Sequence, residues 1–222
     1  MCAQKLKYRH GKAYWFIFNA IQYALKGIFK LLYRVSIKGI DKIPKNGKYI
    51  ICSNHLSYLD PVLIGAYMPR YTYFMAKKEL FSVSFLSNLV TYLNAFPVNR
   101  DIIDRKTFNI ALNILKNENV LALFPEGTRS TDGKIKEGKK GVGLISILSG
   151  APIIPMVITG SNKIIQKPHK RVFFPKIKME IGDIIDIAKI IKENDRKKAI
   201  QIIVDETMRS IKKLYQNINR DK

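Results

Sequence analysis

The sequence predicts an α/β fold: a mostly parallel mixed central sheet flanked by helices, with an N-terminal amphipathic membrane-interface helix. Three observations carry this. Short apolar runs such as Tyr49 to Ser53 and Val120 to Phe124 read as strands buried on both faces. Helix-length segments separate such runs, and strands alternating with helices favour a covered, mostly parallel sheet. The first 40 residues contain no acidic residue but carry Lys5, Lys7, Arg9, Lys12, Lys26, Lys30, Arg34 and Lys38.

Within that basic start, Ala13 to Leu25 is an uncharged run rich in aromatics, including the only tryptophan. At 13 residues it falls short of the roughly 20 that a membrane-crossing helix needs. A basic start before an apolar core is also the layout of a signal peptide, but no small-x-small cleavage site follows, and Lys26 and Lys30 come instead at helical spacing. The preferred reading is a helix lying in the membrane interface, with Trp15, Phe16 and Phe18 toward the acyl boundary and lysines toward anionic headgroups. A helix packed on the protein's own core is the alternative.

The pattern then shortens. Arg34 to Gly39 reads as a strand, Pro44 to Gly47 as a turn and Tyr49 to Ser53 as a buried strand. Asp60-Pro61 opens a helix to about Tyr67, because Asp is a favoured N-cap and Pro fits the first helical position. Next come a strand at Tyr71 to Ala76, a helix at Val83 to Leu93, a strand at Ala95 to Val98, a helix at Asp104 to Asn117 and the strand at Val120 to Phe124. Gly141 to Ser149 reads as helix, and Ile153 to Thr159, Arg171 to Phe174 and Lys178 to Ile181 as strands. From Asp195 to Ile218 apolar residues recur at the spacing of one helix face.

A chain of 222 residues suits one core. The expected division is a membrane-association segment at 1–34 and a globular domain at 35–222. The formal charge of +22 calls for an anionic partner, either nucleic acid or an anionic lipid surface. No zinc finger, aromatic RNP-type signature or helix-turn-helix is found, so no nucleic-acid partner is expected. Cys2 and Cys52 suggest no disulfide framework and a reducing, cytosolic setting.

Candidate chemistry begins at His55, in a strand-to-helix loop, and Asp60, which opens the helix. A histidine is the natural general base near neutral pH, and a carboxylate on one ring nitrogen leaves the other free to accept a proton. An Asp that merely caps a helix beside a surface His is the competing interpretation. Cys52 would be a rival nucleophile, but its apolar strand neighbours favour burial. In Phe124 to Ser130, after a buried strand, Gly127 lets the backbone approach a ligand, Thr128 and Ser130 supply hydroxyls and Arg129 offers a fork for phosphate. Phe96 to Arg100 ends another strand with an arginine. Gly133 to Lys140 nearly spells a P-loop, but Lys140 stands where magnesium binding requires Ser or Thr, and a polar turn precedes it. Lys134, Lys136, Lys139 and Lys140 instead read as a basic rim. His10 and His169 have no companions at ligand spacing, so no metal site is expected.

With these blocks in order, the chain resembles the bacterial 1-acylglycerol-3-phosphate acyltransferases of the glycerolipid acyltransferase family. N-H-x-x-x-x-D falls on Asn54 to Asp60, F-x-x-x-R on Phe96 to Arg100, F-P-E-G-T-R-S on Phe124 to Ser130 and a proline-containing apolar strand on Ala151 to Pro155. The resemblance implies transfer of an acyl group from acyl-CoA or acyl carrier protein, without a cofactor, to the free hydroxyl of lysophosphatidic acid. It implies His55 as base, Asp60 as its partner, Lys77 as oxyanion stabiliser, Arg100 and Arg129 as phosphate ligands, and Glu126, Gly127 and Thr128 as shaping that pocket. An enzyme of phospholipid biosynthesis, peripheral on the cytoplasmic membrane face, is the resulting expectation. A sibling acting on glycerol 3-phosphate or another lysophospholipid and a non-catalytic lipid- or nucleic-acid-binding relative are its alternatives.

Overall fold

The computed structural model describes residues 12–82, 94–98, 105–130, 132–166 and 171–220. In chain order the elements are α1 (Lys12–Tyr33), β1 (Ser36–Lys38), β2 (Tyr49–Ser53), α2 (Asp60–Tyr67), β3 (Thr72–Lys77), β4 (Ala95–Val98), α3 (Arg105–Lys116) and β5 (Val120–Leu123). They continue as α4 (Gly141–Ser149), β6 (Ile153–Thr159), β7 (Ile165–Gln166), β8 (Arg171–Val172), β9 (Lys178–Ile181), α5 (Ile187–Glu193) and α6 (Arg196–Arg220).

Seven strands form one sheet in the order β1-β9-β6-β2-β5-β3-β4. From β6 to β4 all pairings are parallel, whereas β9 runs antiparallel to β6 and pairs in parallel with β1. β2 lies centrally, and all five of its residues are buried. Its alternation sends Ile50 and Cys52 into the core beneath α3, α4 and α6, and Tyr49 and Ile51 into the core beneath α1 and α2. Burying each such large apolar side chain contributes roughly 1.5–3 kcal/mol relative to exposure. α6 supplies Ile203, Val204, Met208 and Ile211, the stripe expected from the 195–218 periodicity. It approaches α4 closely enough that a Cβ on Gly143 would stand 2.6 Å from the Ile200 carbonyl oxygen.

α1 is longer than the uncharged run suggested, and one of its faces packs on the protein's own core while another is exposed. Phe29 and Tyr33 are buried against the body, and the Gln22 side chain donates to the carbonyls of Gly65 (3.0 Å) and Met68 (3.1 Å) at the end of α2. Elsewhere on the helix Phe16, Ile17, Tyr23, Ile28 and Leu31 are exposed. Among the described residues no helix is long and apolar enough to cross a membrane.

Several expectations need correction. The first strand begins at Ser36, because Arg34 takes φ 46 to turn out of α1. Only Arg171–Val172 of the expected 171–174 strand is extended, and it pairs with β7 in a separate two-stranded ribbon. α5 was not anticipated: it is one short helix, capped by Asp186, whose carboxylate accepts from the Ala188 amide at 2.9 Å. The helix expected over 83–93 lies outside the described residues.

Candidate active site

β2 ends at Ser53 and delivers Asn54 and His55 above the carboxyl edge of the sheet, where parallel strands leave a crevice. The Asn54 carboxamide replaces a strand's backbone: its Nδ2 donates to the Ile158 carbonyl (2.9 Å) and its Oδ1 accepts from the Ile158 amide (2.8 Å). The loop after β2 is thereby tied to β6.

His55 is held on every side. Its amide donates to Glu126 Oε1 (3.1 Å), its carbonyl accepts from the Ser130 amide (2.7 Å), and its ring stacks on Phe124 with centroids 3.9 Å apart. Nδ1 lies 3.0 Å from Asp60 Oδ2. That same oxygen accepts from the amides of Leu56 (2.6 Å) and Ser57 (2.7 Å). An oxygen acting as acceptor for two amides takes a third donor in the same way, so Nδ1 is the donor to Asp60, and in the neutral ring this tautomer leaves Nε2 as the acceptor.

This geometry corrects one local expectation. Asp60 is the first helical residue and not the N-cap; Leu59 occupies the cap position and no side chain caps α2. The reason is competition, since Oδ2 turns back to His55 and the loop amides, while Oδ1 is buried with no partner among the described residues. Cys52, behind the loop, is fully buried, and burial pushes its thiol far above the ordinary range, which removes it as a nucleophile.

The loop after β5 forms the other wall. Both Glu126 oxygens are engaged, Oε1 by His55 and Oε2 by the Lys136 amide (2.9 Å), so this buried carboxylate ties the histidine to the loop preceding α4. Gly127 adopts φ 71, a left-handed conformation that favours glycine. Thr128 is exposed. Arg129 lies over the exposed Tyr58 ring, 3.5 Å from its centroid, joining the two loops across the site. Lys77 ends β3; its side chain and the whole of Arg100 lie outside the described residues.

Beside His55 opens a cavity of about 130 Å³ between the ends of β3, β4 and β5 and the helices α3 and α4. Met75, Val98, Phe108, Leu123, Val142 and Ile145 line it, so its depth is apolar, while Lys139 and Gly127 stand with His55 in its wall. Among the described residues no His, Cys, Asp and Glu cluster has metal-ligand geometry.

Residues 34–159, more than half of the chain, match the acyltransferase family. The chain belongs to the acyltransferase family. It is similar to the 1-acyl-sn-glycerol-3-phosphate acyltransferase of Bacillus subtilis (strain 168), 28% identical over 140 residues that cover 63% of this chain and 69% of that one. The Streptococcus pneumoniae (strain ATCC BAA-255 / R6) enzyme of the same name is 31% identical over 158 residues, covering 70% of this chain but 57% of its own length. Among solved structures, the 1-acyl-sn-glycerophosphate (LPA) acyltransferase PlsC of Thermotoga maritima superposes with a TM-score of 0.74 at 28% identity, covering 95% of this chain and 84% of that one.

In this acyltransferase the site contains residues that the sequence did not single out. Tyr58 and Phe124 stood inside recognised blocks, where aromatic character alone signalled no role. Lys139 was assigned to a basic rim, because nothing in the sequence reveals that its loop folds back over Gly127.

Proposed function

We propose that this protein transfers a fatty acyl group from an acyl-CoA or acyl carrier protein thioester to the sn-2 hydroxyl of lysophosphatidic acid, producing phosphatidic acid. The observation that carries this reading is the buried His55–Asp60 pair, with His55 in the lining of an apolar cavity. An alkyl chain fits such a cavity, and a hydroxyl beside Nε2 fits the base.

In the proposed step, Nε2 of His55 takes the hydroxyl proton as that oxygen attacks the thioester carbonyl. The new C–O bond forms, the C–S bond breaks, and the departing sulfur receives the proton from the imidazolium. Asp60 keeps the ring oriented and faces its positive charge. Arg129 and Arg100 would take the acceptor phosphate, and Lys77 the thioester oxyanion. Gly127 and Thr128 would shape the phosphate pocket.

The exposed apolar face of α1, with its lysines, supports peripheral attachment to the cytoplasmic face of an anionic membrane. Val172, Phe173 and Phe174 extend it, because Phe174 packs on Tyr33 at 5.6 Å between ring centroids.

The test is an acceptor panel: labelled acyl-CoA or acyl carrier protein with lysophosphatidic acid, glycerol 3-phosphate and other lysophospholipids. Lysophosphatidic acid is expected to be the preferred acceptor, and His55→Ala to lower kcat by roughly 10²–10⁴-fold while still melting in one cooperative transition, at a lower temperature because the buried Asp60 loses its partner. A protein that acylates none of these acceptors, or a fully active His55→Ala variant, would overturn the reading.

A further inference from the structure

The cavity beside His55 has one feature that the acyl chain does not explain. Among the described residues lining it, Lys139 is the one permanent cation. Its amide donates to the Pro125 carbonyl at 2.9 Å, which fixes the start of its side chain beside the loop after β5. The side chain then runs across Gly127, where a Cβ would stand 2.9 Å from Cε and 3.0 Å from Nζ. Gly127 therefore has a second reason to be glycine besides its φ, since any side chain there would displace the lysine.

The neighbouring cations are differently employed. Lys136 Nζ donates to the Arg129 carbonyl at 3.3 Å, and the Arg129 guanidinium sits on Tyr58. Lys140 stands one residue before α4 and does not line the cavity. No acidic side chain among the described residues lies within ion-pair distance of Lys139. Lys139 is thus an exposed cation in the lining of the cavity, with no carboxylate paired to it among the described residues.

We propose that Lys139 is a specificity-determining residue that anchors the acceptor's phosphate beside His55; this rests on the acyl-transfer reading above. In lysophosphatidic acid the phosphate-bearing carbon adjoins the carbon that carries the reacting hydroxyl. A base on that hydroxyl therefore needs its cation close by, and His55 and Lys139 line the same cavity. The exposure of Lys139 suits a phosphate that keeps part of its hydration; a thioester oxyanion would call for a desolvated donor.

The experiment compares Lys139→Gln with the wild-type chain at saturating acyl donor, using lysophosphatidic acid and the uncharged 1-monoacylglycerol of the same acyl chain. For lysophosphatidic acid KM is expected to rise about 10- to 100-fold with kcat within about threefold. The preference over monoacylglycerol shrinks by the same factor. Lys139→Arg recovers most of the loss, whereas Lys140→Gln, which removes the same charge one residue on, leaves KM within about twofold. An unchanged KM in Lys139→Gln, or an equal fall in kcat with both acceptors, overturns the proposal. Thermal shift with glycerol 3-phosphate separates this from failure of the acyl-transfer reading. If the wild type acylates no lysophospholipid but is stabilised by glycerol 3-phosphate while Lys139→Gln is not, the anion site stands and the reaction falls. If the two respond alike, the anion site falls too.

Discussion

Glu126 poses a question that chemistry at single atoms can decide. The family resemblance implies that it shapes the substrate pocket, yet each carboxylate oxygen is occupied by a backbone amide, of His55 on one side and Lys136 on the other. Replacing it by Gln puts an NH2 group against one of those N–H donors, leaving a buried amide without an acceptor at a cost of roughly 1–3 kcal/mol. Glu126→Gln should therefore melt several degrees lower and lose kcat through displacement of His55, with a smaller change in acceptor KM. Melting curves and steady-state kinetics on the same preparation check this; an unchanged Tm with a large rise in KM would return Glu126 to direct substrate contact. The His55–Asp60 pair was legible because the two residues stand five positions apart, His55 in the loop after β2 and Asp60 at the start of α2. Lys139 was not, since it reaches Gly127 only through the path of the 132–140 loop, which local sequence does not encode.

At the scale of elements, α1 serves two surfaces at once. Its buried stripe, with Phe29, Tyr33 and Gln22, belongs to the body, and its outer face offers Phe16, Tyr23, Ile28 and Leu31 to solvent. A double substitution Phe16→Ser and Leu31→Ser removes two side chains that are 77% and 80% exposed, so it should leave Tm nearly unchanged while reducing vesicle binding roughly tenfold or more. Phe173→Ser with Phe174→Ser should weaken sedimentation with the same vesicles in the same direction, because the ribbon continues that surface past Tyr33. Unaltered vesicle binding in both variants would place the membrane-facing surface elsewhere. The buried strands β2, β5 and β6 were legible because continuous apolar runs bounded by turn residues have few other uses. α5 and the β7–β8 ribbon were not, since short elements depend on a cap or a partner strand more than on periodicity. The extent of α1 was obscured by Lys26 and Lys30, which interrupt the apolar run without interrupting the helix.

For the molecule as a whole, a net charge of +22 and an exposed apolar helix face act over different distances. Coulombic attraction to anionic headgroups is screened within about 10 Å at 0.1 M salt, whereas apolar insertion is insensitive to that screening. Binding should accordingly split into a salt-sensitive and a salt-resistant part. With vesicles containing about 30% anionic lipid, raising sodium chloride from about 0.05 to about 0.5 M should reduce affinity by one to two orders of magnitude, given roughly 1 kcal/mol for each surface Lys or Arg near the membrane. With neutral vesicles, binding should be weaker and nearly flat in salt, and the Phe16→Ser and Leu31→Ser variant should lose that residual part while keeping the salt-dependent one. The two parts also have different consequences for catalysis. Under the peripheral attachment proposed above, charge would bring the enzyme to a surface where its acceptor lies in the plane of the headgroups, and α1, docked on α2 through Gln22, would hold it there. Activity toward acceptor embedded in vesicles should therefore fall with both salt and the α1 substitutions, while activity toward short-chain acceptor in free solution should be unaffected by the α1 substitutions. A water-soluble acceptor that loses turnover in the α1 variant would mean that the helix supports the active site itself.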